Sequence, residues 1–168
     1  MNPVLFLDFD GVLHAEPSLP KEAFSQLPLV EAILREYPSV EIVISSTWRL
    51  DWMGSADAVA VTHLRRHFSP DIAPRVVGVT PFFGRLQENG LDALPYTREL
   101  ECCAWLKSNR PAHAPWLALD DRDEWFLPGC PNLMKVDGGD GFMPSDEDLF
   151  RQHLTRMTTG RPNIGKIE

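Results

Sequence analysis

Apolar residues fall in short runs separated by stretches with helical spacing, and the two patterns alternate along the chain. Val4, Leu5, Phe6 and Leu7 form a run that stops at Asp8, too short for a helix and suited to a strand buried on both faces. After a loop holding Pro17 and Pro20, Pro28 suits a first helical turn, and Leu27, Val30, Leu34 and Tyr37 recur at helical spacing up to Pro38. Residues 40–44 read as a second buried strand that ends in Ser45, Ser46 and Thr47. A helix from about Ser55, with Ala60, Leu64 and Phe68 on one face, leads to a third strand over 75–79. The next helix is expected over 97–108 with Leu100, Cys103 and Ala104 inward, followed by a fourth strand over 116–119 that ends in Asp120 and Asp121. A fifth strand over 133–136 and a helix from Ser145, with Asp146 and Glu147 in its first turn, complete the pattern.

Strands alternating with helices predict an α/β fold: a Rossmann-like, doubly wound parallel sheet of about five strands with helices on both faces. Residues 1–168 are expected to form one domain, since no linker or repeat divides them. Ligands of such sheets bind beyond the carboxyl ends of the strands. That rule brings Asp8, Asp10, Ser45 and Asp120 to one crevice.

Composition narrows the class of protein. With 168 residues, 43% hydrophobic and 24% charged, the chain can bury a sizeable core without disulfides or a structural metal. No run approaches the roughly 20 apolar residues that span a bilayer, and the N-terminus lacks the order of a secretory signal. The expectation is a cytoplasmic protein with no membrane association. Cys102, Cys103 and Cys130 leave one thiol over in any pairing and show no zinc spacing, so they read as reduced, with Cys102 and Cys103 as small buried hydrophobes. The net charge of −8 disfavours extended nucleic-acid binding, which relies on basic surface, but not recognition of a single terminal phosphate.

The strand-end carboxylates carry the chemistry. An Asp-x-Asp pair joined by a second acidic pair supplies the oxygen ligands that Mg²⁺ prefers. Beside the cation an aspartate can attack phosphorus, with the Ser45 hydroxyl donating to a phosphoryl oxygen and a basic side chain balancing the charge. His63, His67, His113 and His153 show no ligand spacing. Trp48 and Trp125 adjoin the motifs and are expected to line the site, and the segment 136–142, VDGGDGF, to border it.

The segment FLDFDGVLH, residues 6–14, resembles the first motif of the haloacid dehalogenase (HAD) superfamily of aspartate-nucleophile phosphohydrolases. IVISSTWR and LALDDRDEWF resemble its second and fourth motifs, in the expected order. The IVISSTWR and LDD forms are also similar to bacterial HAD domains associated with nucleic-acid repair proteins. The resemblance implies a Mg²⁺-dependent phosphatase in which Asp8 is the nucleophile and Asp10 the general acid/base. Asp8 and the main-chain carbonyl of Asp10 would ligate Mg²⁺, together with Asp120 and Asp121, one directly and the other through water. Ser45 matches the second-motif hydroxyl, with Ser46 and Thr47 as alternatives. Arg98 is the choice for the third-motif base because it precedes the helix leading into the fourth strand; Lys107, Arg85 and Arg49 are the alternatives. Arg49, Trp48, Ser46 and His14 are expected to contact substrate. The intervals between motifs leave little room for a cap domain, which implies an open site and a phosphorylated substrate that is bulky or macromolecular, such as a protein or a nucleic-acid terminus.

Overall fold

The computed structural model of the chain describes residues 2–52, 54–84 and 96–160. Five strands, β1 (Val4–Leu7), β2 (Glu41–Ile44), β3 (Val76–Val79), β4 (Trp116–Asp120) and β5 (Leu133–Lys135), form one parallel sheet in the order β3-β2-β1-β4-β5. The connecting helices are α1 (Leu27–Glu36), α2 (Asp57–Leu64), α3 (Thr97–Asn109) and α4 (Glu147–Thr159). Strand order reverses at β1, which therefore lies in the middle of the sheet. Its four residues are fully buried, as a central parallel strand requires.

Alternation along β1 divides the core in two. Leu5 and Leu7 face the larger cluster, with Ile42 and Ile44 of β2, Leu117 and Leu119 of β4, and apolar side chains of α1, α2 and α4. Val4 and Phe6 face the smaller one, with Val43, Ala118 and, from α3, Cys102 and Trp105. Phe6 stands edge-on to Trp105 and Trp116, with ring centroids 5.9 and 5.7 Å away. Among the described residues, helices thus cover both faces, three on one side and α3 on the other.

The face that α3 turns inward differs from the expected one. Thr97, Arg98, Glu101, Cys102 and Trp105 are buried, whereas Leu100 and Cys103 are exposed and Ala104 is half-buried. The apolar positions of this helix are a poor guide because its inward face carries a buried arginine and a buried glutamate. Between Asp10 and α1 the chain builds only a turn of 3-10 helix, Pro20–Glu22, too little for a cap at that point. Among the described residues no helix is long and apolar enough to cross a membrane.

Candidate active site

The sheet register sets the site. Leu7 pairs with Ile44 on one side and Leu119 on the other, so the next residues, Asp8, Ser45 and Asp120, reach the carboxyl edge at the same level. Asp8 N–H donates to Leu119 O at 3.1 Å and Ser45 N–H to Leu7 O at 3.0 Å, which fixes all three against one another. Asp8, Asp120 and Asp121 each bring a carboxylate oxygen to within 4.8 Å of the others'.

Arg98 closes this group from α3. Its guanidinium is fully buried, and Nη1 donates to Asp8 Oδ2 at 3.0 Å and to Asp120 Oδ2 at 2.7 Å. The Trp125 ring lies 4.8 Å from its central carbon. Burial opposes the charge, but Asp8 and Asp120 more than offset it, so Arg98 is held cationic above its ordinary range. Lys107 sits at the far, exposed end of α3, and Arg85 lies outside the described residues.

The two aspartates after β4 have different surroundings. Asp120 Oδ2 is taken by Arg98, and Oδ1 accepts the Arg122 N–H at 2.9 Å. Burial pushes its carboxyl up to about 8, against the pull of Arg98. Asp121 Oδ1 is buried with no hydrogen-bond partner among the described residues, and burial with the nearby Asp8 charge raises that carboxyl to about 6. Asp121 fits its place because Gly11 and Gly138 flank it. A Cβ on either glycine would stand 2.4 Å from Asp121 Oδ2. Crowded carboxylates, one with an orphaned oxygen, form a donor set that fits a hard divalent cation.

Asp10 stands beside this group with its carboxylate turned elsewhere. Trp48 Nε1–H donates to Asp10 Oδ1 at 2.9 Å, His14 Nε2 lies 3.0 Å from the same oxygen, and Thr47 Oγ1 is 3.4 Å from Oδ2. Ser46 Oγ accepts the Trp48 N–H at 3.4 Å. With Ser46 and Thr47 so engaged, Ser45 is the uncommitted hydroxyl of the three among the described residues.

The side chains expected at the substrate entrance are each engaged by the protein itself. Arg49 is buried: Nη1 reaches the carbonyl oxygens of Ser45 and Ser46, both at 2.6 Å, Nε that of Thr80 at 3.0 Å, and Nη2 the Glu101 carboxylate at 2.9 Å. It ties the ends of β2 and β3 to α3 and does not line the crevice. His14, only 5% exposed in its side chain, faces Asp10, and Trp48 directs its N–H to the same carboxylate. Sequence reasoning missed Glu101, which nothing distinguishes from a solvated helical glutamate, and Gly138, whose role depends on a residue distant in the chain.

Residues 4–146 match the family described as the HAD domain in Swiss Army Knife RNA repair proteins. The chain belongs to that family. No curated protein and no solved structure matches the chain.

Proposed function

We propose that the protein is a Mg²⁺-dependent phosphomonoester hydrolase that works through an aspartyl-phosphate on Asp8. The observation that carries this reading is the convergence of Asp8, Asp120 and Asp121 on one point at the sheet edge, with Arg98 bridging Asp8 and Asp120. Asp8 and Asp121 would hold the cation, with the Asp10 main-chain carbonyl, as the family resemblance implies; among the described residues Asp121 offers an oxygen with no other partner, whereas both oxygens of Asp8 and of Asp120 also accept hydrogen bonds, Asp8 from Phe9 N–H and Arg98 and Asp120 from Arg98 and Arg122 N–H. The cation would supply charge neutralisation that lets a phosphate dianion approach the carboxylates.

The remaining work falls to the chain itself. Asp8 attacks phosphorus as the ester P–O bond breaks, and Asp10 gives its proton to the departing oxygen. Water then attacks the aspartyl-phosphate, Asp10 takes a proton from it, and the Asp8–phosphorus bond breaks to release phosphate. Arg98 keeps Asp8 oriented while its Nε faces the buried Glu101 carboxylate at 3.8 Å, and its buried Nη2, which has no hydrogen-bond partner among the described residues, suits a phosphoryl oxygen. The Ser45 hydroxyl donates to another.

Hydrolysis of p-nitrophenyl phosphate by wild type and Asp8→Asn, with Mg²⁺ and with chelator, tests the mechanism. Metal-dependent turnover that disappears in Asp8→Asn is expected; a fully active Asp8→Asn protein sinks it. The family's description, which names RNA repair proteins, favours a polynucleotide terminus as the phosphate carrier. Oligonucleotides with and without a terminal phosphate, offered as substrates and as ligands, test that choice, and indifference to the phosphate rules it out.

A further inference from the structure

Asp10 is gripped more firmly than proton exchange alone requires. Both strong contacts, from Trp48 Nε1 at 2.9 Å and His14 Nε2 at 3.0 Å, fall on Oδ1, and among the described residues only Thr47 Oγ1, at 3.4 Å, addresses Oδ2. The His14 tautomer follows from its other nitrogen. Nδ1 accepts the Phe24 N–H at 3.3 Å, so the hydrogen of the neutral ring sits on Nε2 and points at Asp10. The imidazole is 5% exposed and the carboxylate 32%, which places the ring behind the carboxylate and the carboxylate towards solvent.

The support behind these donors is unusual. Phe24 has φ of 62°, a left-handed conformation disfavoured for a bulky residue and kept only where the surroundings overdetermine it. That backbone presents the Phe24 N–H to His14. Its ring stands edge-on to both donors, 5.6 Å from His14 and 5.0 Å from Trp48, and packs 5.2 Å from Phe9. Phe24 thus wedges His14 and Trp48 in place around a single oxygen.

We propose that His14 and Trp48 are positioning residues that fix Asp10 Oδ1 and so assign the exchangeable proton to Oδ2. An oxygen that already accepts two N–H bonds has little capacity left for a proton, so the acid form carries its hydrogen on Oδ2, where Thr47 Oγ1 can accept it. This rests on the phosphatase reading above: as Asp8 bonds to phosphorus and the ester bond breaks, the Oδ2 proton passes to the leaving oxygen. The attacking water later returns a proton to Oδ2.

Leaving-group dependence separates this role from a structural one. An acid held in position matters most when the departing oxygen is strongly basic and least when it is a nitrophenolate. The test measures kcat/KM, which reports the steps up to loss of the leaving group, for phenyl phosphates graded from 4-nitro to 4-methoxy. The proteins are wild type, Trp48→Phe, His14→Phe and His14→Gln, with fluoroberyllate binding as a check that the Asp8 site is intact. Wild type is expected to vary little across the series. Trp48→Phe and His14→Phe should lose less than about 10-fold on the 4-nitro ester and about 10- to 100-fold more on the 4-methoxy ester. His14→Gln, which returns an N–H near the Nε2 position, should recover part of that loss. Equal losses across the series, or none, overturn the positioning role while the phosphatase reading stands. Absence of turnover by wild type on every ester overturns the phosphatase reading and this proposal with it. Trp48→Phe keeps an aromatic ring in the cluster, so the test survives if His14→Phe does not fold.

Discussion

Gly138→Ala offers a steric probe of the Asp121 position that leaves every carboxylate in the sequence. Gly138 does not have a positive φ, so alanine meets no backbone penalty there, and the three nearest atoms to its new Cβ all belong to Asp121. The closest, Oδ2, would be 2.4 Å away, where ordinary contact begins near 3.4 Å. The Gly138 carbonyl is held by the Glu16 N–H at 2.8 Å, which resists movement of the backbone there, so most of the displacement of about 1 Å falls on Asp121. A misplacement of about 1 Å in a reacting constellation costs on the order of 100-fold. The half-saturating Mg²⁺ concentration should therefore rise about 10- to 100-fold, equivalent to roughly 1.4–2.7 kcal/mol. Mg²⁺ titration of p-nitrophenyl phosphate turnover reads this directly, and the Mg²⁺-dependent rise in melting temperature reads it without turnover. Gly139→Ala, whose nearest neighbour is Asp137 Oδ1 at 3.2 Å, is the matched control. A Gly138→Ala protein with wild-type Mg²⁺ dependence would refute Asp121 as a cation ligand held in place by its glycine neighbours.

Arg98→Met should destabilise the metal-free protein by about 3–5 kcal/mol, because it leaves the buried Asp8 carboxylate without its counter-charge and Asp120 Oδ2 without its donor; thermal unfolding in chelator should show a fall of roughly 6–20 °C, and an unchanged melting temperature would contradict the buried bridge. Stability of the metal-free protein should also fall as pH rises from about 5.5 to 8. Burial raises the Asp120 carboxyl to about 8 and that of Asp121 to about 6, above their ordinary value of 3.8, so the folded chain binds more protons than the unfolded one across that window. Mg²⁺ requires the ionised carboxylates and should stabilise more at pH 8 than at pH 5.5; melting curves with chelator and with Mg²⁺ at both pH values check the sign.

The strands and the acidic motifs were legible in the sequence because each rests on residues close together in the chain. The run from Val4 to Leu7 is apolar at every position, which suits only a strand covered on both faces, and the abrupt change to Asp8 marks where it leaves the sheet. The change from Ile44 to Ser45, and the pair of aspartates that ends the fourth run, mark the same edge. Parallel topology then brings them together, and Arg98 was identifiable by its place ahead of β4. On α3 the rule that apolar residues turn inward failed. The inward face is set by Asp8 and Asp120, which call for Arg98, and by Arg49, which calls for Glu101, so Leu100 and Cys103 turn outward.

What the sequence by itself determined is the order of strands and helices, the edge at which the carboxylates emerge and the chemistry those residue types support, since these follow from local periodicity and short motifs. Only the tertiary structure decided that Arg49 ties backbone carbonyls together, that His14 and Trp48 converge on one oxygen of Asp10, and that Gly138 makes room for Asp121. Each of those depends on partners brought together by the crossovers of the sheet, and the direction in which a buried polar side chain points is set by the donor or acceptor it must satisfy there.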